Sequence, residues 1–155
     1  RAIKLCDVLA DVHECRIQHR DIKPANIIVK KNEVFLIDFN LSLVKPANNQ
    51  GTPIYQAPEQ RKISLIGLDR IDVFSFGVVL FEMIAGSPPS YGTDYYNLDG
   101  DSAWRLFTVP SAKRGGIPAQ LDELVRKCME YAPDRRYGDI RQVRHALVQI
   151  KRGVR

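Results

Sequence analysis

Residues 69–86 read DRIDVFSFGVVLFEMIAG, a run that would place apolar side chains on nearly every face of a helix. A surface helix carries one apolar stripe, so a run with no polar side predicts a central helix with other elements packed around it. Gly86, Pro88 and Pro89 mark its end, the glycine by permitting a left-handed cap and the prolines by preventing continuation. The most apolar stretch, VVLFEMIA at 78–85, is far too short to span a bilayer and carries Glu82.

The flanking segments are weaker but legible. Over 3–17, Leu5, Leu9 and Val12 recur at helical spacing, and Val8 and Ile17 extend the same face, which predicts a helix running into a polar loop at 19–26. NIIVK and EVFLI follow as two β-type runs joined through Lys31 and Asn32, the pattern of a small hairpin. Residues 41–56 are rich in Asn, Pro and Gly and read as a surface loop ending at APE, 57–59, while 86–100 resembles a connector. Helices are expected near 118–131 and 139–151, separated by APDRRYG. The hairpin is too small to organise a core. The fold class expected is therefore mainly α in one domain, 1–155, and 45% apolar content is ample for it.

Charge placement narrows the partners. The net charge of +5 arises from 23 Lys and Arg against 18 Asp and Glu, and Arg141, Arg144, Lys151, Arg152 and Arg155 account for all of it. This end reads as the solvated face of a final helix. A contact with an acidic partner or a membrane surface is the alternative. No zinc-finger spacing or aromatic and basic platform points to nucleic acid. Cys6, Cys15 and Cys128 form neither a disulfide framework nor a CxxC motif, which favours a reducing, cytoplasmic location. No signal peptide is visible.

The chemistry concentrates in HRDIKPANIIV, 19–29. Asp21 suits acceptance of a hydroxyl proton, Lys23 offers positive charge to a transferring phosphoryl group, and Asn26 offers a neutral oxygen to a cation. Asp38 adds a carboxylate at the far end of the hairpin, whose fold would return it towards Asn26. Such a set suits a hard divalent cation, Mg²⁺ above all, shared with phosphate and water. It does not suit Zn²⁺, since His13 and His19 lie six positions apart and His145 is remote. His19 reads as a hydrogen-bonded, packed part of the loop rather than a base.

HRDIKPAN resembles the catalytic loop of eukaryotic-type Ser/Thr protein kinases, DFN at 38–40 resembles their metal-binding DFG motif, and APE resembles the close of their activation segment. The resemblance covers nearly the whole chain, as a kinase-like C-terminal lobe with a small β-hairpin at the catalytic loop. It implies that Asp21 is the catalytic aspartate and that Lys23 contacts the transferred phosphate and favours Ser/Thr over Tyr substrates. It further implies that Asn26 and Asp38 hold Mg²⁺ on ATP. Thr52 would contact Asp21 and Lys23, Glu59 would pair with Arg136, and Asp72 would support the loop through backbone hydrogen bonds. Arg20 belongs to the arginine-containing class of loop that answers a phosphorylated activation segment. Here, however, Asn48 and Asn49 occupy the expected phosphosite region, and activation by loop phosphorylation is not expected.

Three positions depart from the family pattern: Asn40 for the DFG glycine, Ala132 for an aspartate and Tyr137 for a proline. Asn tolerates positive φ better than most residues, so Asn40 is expected to narrow the segment's conformational range. The family's Gly-rich loop, strand lysine and helix glutamate have no counterpart in this sequence. The N-terminal ATP-gripping lobe is thus expected to be missing, the isolated chain weakly active or inactive, and its exposed junction surface prone to self-association. A pseudokinase-like binding or regulatory module without phosphotransfer is the alternative reading.

Overall fold

A computed structural model describes residues 1–39, 53–60, 68–89 and 107–153. The expectations placed on Asn40, Thr52, Asn48, Asn49 and most of the connector fall outside these residues. Among those described, the fold is mainly α: five helices and one two-stranded hairpin. The helices are α1 (Ala2–Glu14), α2 (Leu68–Ala85), α3 (Pro110–Lys113), α4 (Ala119–Cys128) and α5 (Ile140–Gly153), and the strands are β1 (Ile27–Lys30) and β2 (Glu33–Leu36).

The central helix is where the sequence places it. In α2, Ile71, Val73, Phe74, Phe76, Val78, Val79, Leu80 and Phe81 are all 4% exposed or less, because α3, α4, α5 and the turn at Pro53–Tyr55 pack around it. Gly86 closes it in a left-handed conformation, φ 78°, donating to the Glu82 carbonyl at 2.8 Å. The partners bury single stripes, as shorter amphipathic helices must: Leu124, Val125 and Cys128 of α4, and Ile140, Val143 and Leu147 of α5. No helix of the described residues is long and apolar enough to cross a membrane.

Gly77 sets how closely α4 approaches α2. A Cβ there would stand 2.6 Å from the Cys128 Cβ and 2.8 Å from the Met129 Cγ. Gly77→Ala gains about 1 kcal/mol of helix propensity. It is nevertheless expected to destabilise the chain by about 1–3 kcal/mol, because the overlap displaces a buried helix. Urea denaturation measures the outcome, and an unchanged or raised midpoint would mean that α4 moves aside freely.

Helix α1 ends three residues earlier than its apolar periodicity predicts. Arg16 takes a left-handed conformation, φ 58°, and donates to the His13 carbonyl at 2.9 Å, while Ile17 donates to the Val12 carbonyl at 3.2 Å. This is the Schellman closure, with arginine in the place usually held by glycine. The hairpin turn is as tight as expected: Lys31 and Asn32 have φ 48° and 68°, and the register pairs Lys30 with Glu33 and Ile27 with Leu36. Helix α3, four residues started by Pro110, is absent from the sequence reading. The basic residues of α5 lie on its solvated face, where Arg141 and Arg144 pair with Glu14 and Asp7 of α1. These pairs are exposed and orient the two helices more than they stabilise them.

Candidate active site

The loop between α1 and β1 is held from behind by α2. Asp72, fully buried, accepts from the His19 amide at 2.9 Å and the Arg20 amide at 2.8 Å. Its carboxylate also takes the His13 Nε2 at 2.8 Å, so His13 must carry its proton on that nitrogen. Arg20 sits at φ 61°, a conformation that costs a non-glycine residue about 1–2 kcal/mol and persists only where neighbours enforce it.

His19 is buried and uses both ring nitrogens. The Asp21 amide lies 3.3 Å from its Nδ1, and its Nε2 lies 2.8 Å from the Ile37 carbonyl. Nδ1 faces a donor and Nε2 an acceptor, so the neutral Nε2–H tautomer satisfies both. Its ring also lies 4.8 Å from that of Phe39. One imidazole thereby ties the backbone of Asp21 to the residue before Asp38.

Three of the polar side chains singled out in the sequence meet. Lys23 Nζ lies 2.7 Å from Asp21 Oδ2, and the Asn26 amide nitrogen lies 3.0 Å from the same oxygen and 2.8 Å from the Asp21 carbonyl. With its nitrogen committed, Asn26 is left with Oδ1, which has no protein donor among the described residues. Across the end of the hairpin, the Ile37 amide donates to the Asn26 carbonyl at 3.1 Å and places Asp38 one residue beyond. Asp38 is exposed, at φ 57°, and has no hydrogen-bonding or ionic partner among the described residues. A free amide oxygen and a free carboxylate, on residues that flank the hairpin, are donor types that a hard cation takes. Among the described residues no group of three or more His, Cys, Asp or Glu is placed to hold a metal ion.

The segment closing the site, 53–60, is fastened to the helical core by side-chain bonds along its length. Glu59 and Arg136, 9% and 4% exposed, form a bidentate pair at 2.5 and 2.8 Å. The remaining guanidinium hydrogens go to the carbonyls of Glu130, Arg70 and Tyr131, so all five donors are used. Tyr55 donates to Glu82 at 2.7 Å, and burial, followed by that bond, holds its phenol well above the ordinary range. At the departure in the late motif, the Tyr137 ring lies 4.5 Å from Lys127 Nζ, a cation–π contact in place of the proline. Sequence reasoning missed His13, which touches the loop's support at Asp72, and Gln60, which donates to the loop itself at the Arg20 carbonyl; neither belongs to a motif with a mechanism visible in sequence.

The protein kinase domain family model matches residues 2–148. The chain belongs to the protein kinase domain family. The architecture of this kinase domain is that of the family's mainly helical C-terminal lobe, and its relatives are of the eukaryotic-type Ser/Thr class. Serine/threonine-protein kinase PknB of Mycobacterium tuberculosis is 33% identical over 158 residues, covering 96% of this chain and 25% of the relative. PknB of Mycolicibacterium smegmatis is 32% identical over 167 residues, covering 99% and 27%. Serine/threonine-protein kinase PknE of M. tuberculosis is 33% identical over 147 residues, covering 88% and 26%. The chain thus spans about a quarter of the length of the curated relatives it matches.

Proposed function

We propose that these residues are the catalytic, substrate-facing half of an ATP- and Mg²⁺-dependent protein kinase that phosphorylates Ser and Thr hydroxyls of protein substrates. The observation that carries this reading is the convergence of Lys23 and Asn26 on one oxygen of Asp21, with Asp21 tied through His19 to the segment bearing Asp38. Asp21 orients the substrate hydroxyl and takes its proton as that oxygen bonds to the γ-phosphorus and the bond to the ADP oxygen breaks. Lys23 offsets negative charge on the transferring phosphoryl group, and Asn26 and Asp38 would hold the metal. Mg²⁺, when bound, supplies neutralisation of phosphate charge.

The ATP-gripping groups belong, in this reading, to residues outside these 155. Ile28, Phe35 and Ile37, 44%, 50% and 39% exposed, lie on the outer face of the hairpin and suit docking of such a lobe, or self-association without it.

The native gene product is expected to phosphorylate protein Ser or Thr when given ATP and Mg²⁺. Asp38→Asn is expected to lower the rate about a hundredfold by weakening the metal site. Phosphoamino-acid analysis and initial rates measure both outcomes. ATP binding with no transfer by the wild-type protein would instead make it a binding or regulatory module.

A further inference from the structure

We propose that Gln60 is a positioning residue for this site, a strut that fixes the peptide carrying Asp21 to the end of the closing segment; the inference deepens the kinase reading and rests on it for the role of Asp21. The Gln60 Nε2 donates to the Arg20 carbonyl at 2.9 Å, and its Oε1 accepts from the Ala57 amide at 2.8 Å. The Ala57 amide can only donate and the Arg20 carbonyl can only accept, so a single orientation of the carboxamide satisfies both, and a flip would lose both bonds.

The Arg20 carbonyl and the Asp21 amide are two edges of one planar peptide unit. Gln60 holds its oxygen edge and His19 Nδ1 its nitrogen edge. The preceding peptide is held at the Arg20 amide by Asp72. Arg20 is therefore clamped on both sides in its left-handed conformation, φ 61°. Asp72 supplies one clamp from the helical core, whereas Gln60 supplies the other from the segment bolted down by Glu59 and Arg136. Loss of the Gln60 contact leaves the Arg20–Asp21 peptide free to tilt, and reacting groups misplaced by a fraction of an ångström lose rate rather than affinity.

Two variants separate this role from a local one. Gln60→Met loses both hydrogen bonds, while Gln60→Glu keeps the acceptor for Ala57 and loses the donor to Arg20. In the native gene product both are expected to lower kcat about tenfold or more, with KM for ATP changed less than about twofold. In ¹H–¹⁵N spectra of the chain, the Asp21 amide is expected to shift and to exchange faster in both variants. The Ala57 amide should lose protection only in Gln60→Met. Wild-type kcat in Gln60→Glu, or an unmoved Asp21 amide in that variant, would overturn the strut and leave Gln60 as a cap for its own turn. Should phosphotransfer prove independent of Asp21, the kinase reading fails by itself, and the amide measurements still decide whether Gln60 holds the loop.

Discussion

Asp21→Asn is expected to reduce phosphotransfer by the native gene product about a thousandfold, within the 10²–10⁴ range typical of a lost general base. Asparagine retains the shape of the side chain and an oxygen that Lys23 and Asn26 can still donate to, so the loop has little reason to rearrange. What disappears is the acceptor for the hydroxyl proton. The stability cost should be small, because the Asp21–Lys23 pair is 28% and 21% exposed and screened by water. Pairs of that kind contribute about 0–1 kcal/mol. The expected signature is therefore a collapse in kcat with a melting temperature within a few degrees of wild type and KM for ATP nearly unchanged. Retention of more than about a tenth of the rate would remove Asp21 from the role of proton acceptor, and a large fall in melting temperature would mark it as structural.

The parts of the fold that were legible in sequence depend on local pattern. The apolar circumference of α2 announces burial because no arrangement of 69–86 offers a polar face, and the tight hairpin follows from two β-type runs with two residues between them. The parts that were not legible depend on distant partners. Arg16 closes α1 in a conformation for which glycine is the usual marker, so nothing in the letters ends the helix before Ile17. Helix α3 spans four residues, too few for any periodicity to register. In the candidate site, the meeting of Asp21, Lys23 and Asn26 was legible because they share one short motif, and the family resemblance supplied the expectation of a Glu59–Arg136 pair. His13 and Gln60 were not. Each acts on the loop across a long separation, 59 positions from His13 to Asp72 and 40 from Gln60 to Arg20, and an isolated His or Gln carries no local sign of such a bond.

Arg136→Ala is expected to destabilise the chain by about 3–5 kcal/mol, the range for removing one partner of a buried ion pair. The loss exceeds that of an ordinary hydrogen bond because Glu59 keeps its charge in a site from which water is largely excluded. The carbonyls of Glu130, Arg70 and Tyr131 lose their donor at the same time. For a chain of 155 residues the melting temperature should fall by roughly 10 °C or more. Arg136→Lys should recover only part of this, since an ammonium cannot reproduce two parallel bonds to Glu59 and three to carbonyls. Adding Glu59→Gln to Arg136→Ala should restore stability relative to the single variant, because the stranded carboxylate is then neutral. An unchanged denaturation midpoint in Arg136→Ala would show that the pair is dispensable. Destabilisation without recovery in the double variant would assign the cost to the carbonyls rather than to the charge. The pair also fixes the residue before Gln60, so a variant that still folds at low temperature should lose rate before it loses structure: the strut to Arg20 is only as rigid as the end that Glu59 anchors.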